Sequence, residues 1–192
     1  VTLQYKGLAR KIEKIHILFQ SSGIERGDRI AVCGRNSVNW CVSFLATVTY
    51  GAVIVPILHD FKADNIHNIV NDSGSRLFFV ADQVWENLNE ESMPDLEGIV
   101  SLNDSRIIFS RSGRLNGAFD HLNELFGKEY PFKFLPESIS YQSEDPEDVA
   151  IINYTSGTTG FSKGVMLPYR SILSNILQCR EKIGLKAGDD VV

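Results

Sequence analysis

The sequence predicts an α/β fold: a mainly parallel sheet flanked by helices on both faces. Two observations predict it. Amphipathic segments of helical period alternate with short apolar runs along the first half of the chain. Those runs are apolar at nearly every position, as in strands covered on both sides. With 192 residues, 43% hydrophobic and 22% charged, the composition is that of an ordinary globular protein of one large or two small domains.

The elements follow in order. Leu8, Ile12, Ile15, Leu18 and Phe19 recur at three- and four-residue spacing from Tyr5 to Ser22, with Lys and Arg between them, which is one amphipathic helix. Gly23 supplies a left-handed cap and Ile24 packs back on the last turn. After the Gly27-Asp28 turn, Arg29 to Gly34 reads as a strand. A buried helix over Val38 to Tyr50 ends at Gly51 and leads to a strand from Val53 to Leu58. A polar helix near Lys62 to Asn71, a strand from Leu77 to Val80 and a short helix after Asp82 continue the alternation, with right-handed crossovers expected.

From Asn89 to Asp148 the pattern weakens. Ile99 to Leu102 and Ile107 to Phe109 read as short strands, Ala118 to Phe126 as a helix, and Glu137 to Asp148 as an acidic connector with a turn at Asp145-Pro146. A boundary placed there divides the chain into an α/β unit over 1–144 and a second unit over 145–192. Gly184 to Val191 echoes Gly23 to Ile30, the same passage from helix cap to strand used twice. The second copy stops within its expected strand, so the sequence reads as a piece cut from a longer chain.

Charge excludes some functions. The net charge of −5, with no Lys/Arg run, argues against a nucleic-acid binder. Residues 82–148 hold 15 acidic and 5 basic residues, while the remainder is net +5; an anionic ligand sits more comfortably at the two ends. Cys33, Cys41 and Cys179 match no zinc or redox spacing and read as small buried thiols in a reducing, cytoplasmic compartment. His16, His59, His67 and His121 are scattered and suggest no metal site. Asn36 to His59 lacks a formal charge over 24 positions, enough for the ~20 residues of a membrane span. Polar residues, Gly51 and Pro56 interrupt it, so no transmembrane span is expected, and peripheral membrane contact stays open.

The most informative segment runs from Val149 to Leu167. An apolar strand enters Thr155-Ser156-Gly157-Thr158-Thr159-Gly160-Phe161-Ser162-Lys163-Gly164, and a second apolar strand follows. Glycines let backbone amides converge on an anion, hydroxyls add donors, and a lysine adds compact positive charge. That combination suits a polyphosphate, while a generic loop of this composition is a flexible polar hairpin. The segment is not a Walker loop, because Lys163 is followed by Gly164 and Pro168 delays the next helix to about Tyr169. No dinucleotide fingerprint is present.

The string Tyr154 to Gly164 resembles the phosphate-loop signature of the adenylate-forming (AMP-binding) enzymes. Thr2 to Leu8 resembles that family's opening "TYxEL" motif, and Tyr50 to Ile57 its "GAxxVPL" strand. Gly7, Ser162 and Pro168-Tyr169 depart from the usual residues. Gly164 to Leu167 and Asn71 to Phe79 look like long-chain fatty-acid–CoA ligases within the acyl-CoA synthetase branch.

The resemblance implies the N-terminal portion of the adenylate-forming fold, truncated. It also implies an ATP-dependent acid–thiol ligase that activates a fatty acid as acyl-adenylate and passes it to CoA. Thr155, Ser156, Gly157, Thr158, Thr159 and Gly160 are then expected to wrap the ATP phosphates, with Lys163 as the catalytic cation and Thr155 as a hydroxyl ligand to Mg²⁺. ATP, fatty acid and CoA are the implied partners, and the remaining pocket residues fall beyond Val192, so these residues alone are expected to be inactive. The alternatives are a non-catalytic nucleotide-binding module, or an aryl- or amino-acid-adenylating enzyme of the same superfamily.

Overall fold

The computed structural model describes residues 3–135, 137, 139, 141, 145–155 and 162–184. Their elements in chain order are α1 (Tyr5–Ser22), β1 (Arg29–Cys33), α2 (Val38–Tyr50), β2 (Val53–Ile57), α3 (Ala63–Ser73), β3 (Ser75–Val80) and α4 (Asp82–Trp85), then β4 (Gly98–Ser101), β5 (Ile107–Ser110), α5 (Gly113–Asp120), α6 (Leu122–Glu129), β6 (Val149–Thr155), β7 (Lys163–Pro168) and α7 (Tyr169–Ile183). The expected echo beyond Gly184 and the start of the opening motif at Thr2 lie outside the described residues.

The strands form a seven-stranded sheet in the order β5-β4-β3-β1-β2-β6-β7. The pairs β1–β2, β1–β3, β3–β4 and β2–β6 are parallel, while β5 and β7 close the two edges antiparallel. The period of two along each strand divides the core. Ile30, Val32, Ile54, Leu77, Phe79 and Val100 face one way, against Leu18, Phe19 and Leu115 of α1 and α5. Ala31, Cys33, Val55, Phe78, Val80 and Ile99 face the other, against Ile66, Ile69 and Val70 of α3. Both faces are covered, as the continuous apolar runs require. The crossover from β1 to β2 and that from β2 to β3 run in opposite directions across the sheet, through helices on opposite faces. One handedness for both crossovers requires that arrangement.

Local signals account for the first helices. Gly23 and Gly51 adopt φ of 83° and 85°, and the Ile24 amide bonds back to Phe19 O at 2.9 Å. Ser37 caps α2 by accepting the Trp40 amide. Arg76 on β3 ties the amino end of the sheet together. It donates to Glu97 and to Gly23 O, at 2.7 and 2.9 Å, and pairs with Asp28. Arg29 donates to Ser73 O and Gly74 O at 2.9 and 3.0 Å, giving the carbonyl end of α3 a cation that its own last turn lacks.

Several expectations need correction. The helix expected over Ala118 to Phe126 is two helices: Ser112 caps the first, which ends at Asp120, and the second begins at Leu122 after His121. Helix α2 buries only the stripe Val42, Ser43, Ala46 and Thr47; with one face on the sheet, the other meets solvent despite its apolar composition. Its Cys41 is therefore exposed, as is Cys179 on α7, and Cys33 alone is buried. Strand β2 ends at Ile57, leaving Leu58 62% exposed. No described helix is long and apolar enough to cross a membrane.

Candidate functional site

The hairpin β6–β7 frames the candidate site. Its register pairs Thr155 with Lys163 and Tyr154 with Gly164, so the hydroxyl and the ammonium expected to meet a phosphate stand opposite each other at the mouth of the loop. Both are exposed. Ser156, Gly157, Thr158, Thr159 and Gly160 lie outside the described residues.

Because β6 runs parallel to β2, Thr155 lies toward the carboxyl end of the sheet. At the same end the chain leaves β1 for α2 on one face and β2 for α3 on the other, which makes a topological switch point. A cleft of ≈ 590 Å³ opens there, lined by Arg35, Trp40, His59 and Asn153 among others. Ligands of open α/β sheets bind outside the carboxyl ends of strands at such points.

Sequence reasoning missed what holds the hairpin in place. Tyr154 is 8% exposed, and its hydroxyl donates to Asp72 Oδ2 on α3 at 2.6 Å. Burial, and then this bond to a carboxylate, push the Tyr154 hydroxyl well above the ordinary tyrosine range. Gly164 lies beneath the ring: a Cβ there would stand 2.9 Å from Ile152 Cγ2 and 3.0 Å from Tyr154 Cζ. Glycine is needed for this close approach, and the close approach lets the tyrosine reach α3. The one available signal was the Asp in Asn71 to Phe79, a stretch valued above only as a family likeness. A cleft of ≈ 380 Å³ between α3 and the hairpin includes Asn65, Asn68, Asp72, Tyr154 and Ser162.

Metal-binding capacity is limited. Among the described residues, no group of three or more His, Cys, Asp and Glu side chains is arranged to hold an ion. The exposed Thr155 hydroxyl is the one described member of the expected Mg²⁺ set. A single oxygen ligand fits an ion carried mainly by nucleotide phosphates and water, and does not fit a resident protein cage.

The model of the family described as "AMP-binding enzyme" matches residues 1–192. A 4-chlorobenzoate–CoA ligase of Arthrobacter sp is 27% identical over 186 residues, covering 97% of this chain and 32% of the relative. A long-chain-fatty-acid–CoA ligase of Escherichia coli O6:H1 is 25% identical over 191 residues, covering 91% and 34%. The chain thus spans about a third of the length of these curated relatives. Among solved structures, ATP-bound MatB from Rhodopseudomonas palustris superposes with a TM-score of 0.66 at 22% identity, covering 92% of this chain and 32% of that one; it shares the fold. The sheet, the hairpin at its edge and the match along the whole chain lead to one conclusion: this chain belongs to the AMP-binding enzyme family, among relatives that are acyl- and aryl-CoA ligases.

Proposed function

We propose that the chain is the phosphate-gripping part of an ATP-dependent ligase that joins a carboxylic acid to coenzyme A through an acyl-adenylate. The observation that carries this reading is the hairpin register, with Thr155 opposite Lys163 at the mouth of a loop of glycines and hydroxyls. The ATP-bound state of MatB supports the choice of nucleotide.

In the first step the substrate carboxylate attacks the α-phosphorus. A carboxyl O–P bond forms, the bond to the bridging oxygen breaks, and pyrophosphate leaves with the electron pair. In the second step the CoA thiol attacks the acyl carbonyl, loses its proton and expels AMP. Charge gathers on pyrophosphate in the first step. Amides and hydroxyls of Thr155, Ser156, Gly157, Thr158, Thr159 and Gly160 bind the β- and γ-phosphates, and Lys163 offsets the growing charge. The Thr155 hydroxyl would serve as a ligand to Mg²⁺ brought in with the nucleotide, and the ion would supply further charge neutralisation. The Tyr154–Asp72 bond keeps the hairpin against α3 as the phosphates are gripped.

A long-chain fatty acid is the proposed substrate, on the likeness of Asn71 to Phe79 and Gly164 to Leu167. An aryl acid is the second reading, favoured by the 27% identity to the 4-chlorobenzoate ligase. The proposal includes a cytoplasmic setting and a division into an α/β unit over 1–144 and a hairpin-and-helix unit over 145–192. It also holds that catalysis needs segments corresponding to the rest of the relatives' length, so the 192 residues alone should not catalyse.

The test is acid-dependent ATP–pyrophosphate exchange by a protein carrying this chain together with those segments. It is run with dodecanoate, hexadecanoate and 4-chlorobenzoate. Lys163→Ala should lower exchange by about 10²–10³-fold, the cost of one lost charge-stabilising donor. Thioester formation from pre-made acyl-adenylate should suffer less. Equal losses in both half-reactions would reject the role of Lys163, and ATP binding without exchange for any acid would favour a non-catalytic module.

A further inference from the structure

Away from the hairpin, α1 borders a cleft of ≈ 550 Å³ over the carboxyl ends of β3 and β4. Its floor is apolar: Leu18, Phe79 and Val100 line it and are at most 4% exposed. Its rim is cationic, with Arg10, Lys11 and Lys14 along one side of α1. Pockets of this size, mainly apolar with a few convergent polar groups, are the usual form of small-molecule sites.

Among the described residues the three cations have no acidic partner. Lys14 Nζ donates to Asn123 Oδ1 at 2.6 Å and Lys11 Nζ reaches Asn39 Oδ1 at 3.4 Å, both neutral amides. The Arg10 guanidinium lies over the Phe126 ring, 5.0 Å from its centroid. Glu13, on the same helix, is turned away: its Oε2 accepts from Tyr130 at 2.6 Å, and its Oε1 lies 3.7 Å from His16 Nδ1. Asp104 on the opposite rim is taken by Arg106 at 2.8 Å. Partial burial and the repulsion of Arg10 and Lys11 lower the Lys14 pKa, as expected of a cation cluster with no counter-charge. An ammonium has three donors, so Lys14 keeps two beyond its bond to Asn123. The lip facing the cations carries Ser105 at φ 64°, the one left-handed non-glycine residue among those described.

We propose that this cleft binds a single-chain amphipathic anion at a site separate from the phosphate loop, with its alkyl chain on the floor of Leu18, Phe79 and Val100 and its carboxylate at Arg10 and Lys14. The ligand class follows from the pairing of an apolar floor with an uncompensated cationic rim. The site uses neither Thr155 nor Lys163, so it stands or falls independently of the ligase reading.

The test is calorimetric titration of the 192-residue chain, without nucleotide, using alkyl carboxylates below their micellar concentrations. Dodecanoate should bind saturably at one per chain, and each methylene removed should weaken binding about fourfold, the worth of one buried CH₂. Dodecyltrimethylammonium should bind at least tenfold more weakly. Arg10→Gln combined with Lys14→Gln should weaken dodecanoate at least tenfold, while Lys62→Gln, a single-charge change of the same kind on the other side of the sheet, should not. Absence of saturable binding, equal binding of the cationic amphiphile, or indifference to the Arg10/Lys14 change would overturn the site. Loss of binding in Leu177→Glu alone would move the ligand to the exposed face of α7 and overturn it too. If the double variant fails to fold, the head-group comparison on the unmodified chain decides.

Discussion

Removing the Tyr154 hydroxyl tests how the hairpin is held. The bond to Asp72 is 2.6 Å long, within the range of charge-assisted O–H···O⁻ bonds, and bonds to charged groups contribute about 1.5–3 kcal/mol. Asp72 is exposed, so water recovers its oxygen when the hydroxyl is lost. The low end, about 1.5 kcal/mol, therefore applies to Tyr154→Phe. For a domain of this size each kcal/mol moves the melting temperature by about 2–4 °C, so the expected fall is about 3–6 °C in thermal unfolding followed by circular dichroism. Asp72→Asn should cost much less. Its amide oxygen still accepts the hydroxyl, and the change removes a negative charge from the last turn of α3, where the helix dipole opposes it by about 0.3–1 kcal/mol. In the Asp72→Asn background, Tyr154→Phe should then lose about half its effect, since neutral acceptors make bonds of roughly half the strength. An unchanged melting temperature in Tyr154→Phe, or an equal effect in both backgrounds, would refute the anchor.

Other outcomes follow from the same structure. Gly164→Ala forces a methyl to within 3.0 Å of the Tyr154 ring and should destabilise by about 1–3 kcal/mol as an overpacked site, with part of the loss relieved in Tyr154→Ala; denaturant melts of the single and double variants measure this. Gly98→Ala presses on Leu115 Cδ2 across the core and should lower the denaturation midpoint by a similar margin. Burial raises the Cys33 thiol from 9.0 to about 12. The unfolded chain therefore releases this proton first as pH rises, and stability is lost between pH 9 and about 12, by about 1.4 kcal/mol per pH unit; Cys33→Ala should flatten that fall in unfolding curves taken across the window. Leu173, Ile176, Leu177 and Ile183 on α7 are 52–66% exposed, so the 192-residue chain should self-associate at high concentration, and Ile176→Glu with Leu177→Lys should restore monomeric sedimentation.

Much of the architecture was legible in the residues themselves, because it rests on local chemistry. The three- and four-residue spacing of α1, the left-handed glycines at Gly23 and Gly51, and the continuous apolar runs of β1 to β3 each declare an element within a few residues of sequence. The glycine–hydroxyl–lysine string declared a hairpin, and its two strands run as expected. Pattern reports which face of an element is apolar, but not how far its neighbours cover it. For that reason the apolar composition of α2 predicts burial where one face meets solvent, and apolar context predicts buried thiols at Cys41 and Cys179 where the structure exposes them.

Tertiary structure alone decided the strand order, the antiparallel edges and every contact that joins distant residues. Tyr154 and Asp72 are 82 positions apart, and Arg76 gathers Gly23 and Asp28 from the connection between α1 and β1 and Glu97 from the residue before β4. The cationic side of the cleft, Arg10, Lys11 and Lys14, keeps its charge open because Glu13 turns toward Tyr130 and Asp104 across the cleft is held by Arg106. Propensity and periodicity act over a few residues, whereas a side chain's partner is chosen by the packing of whole elements.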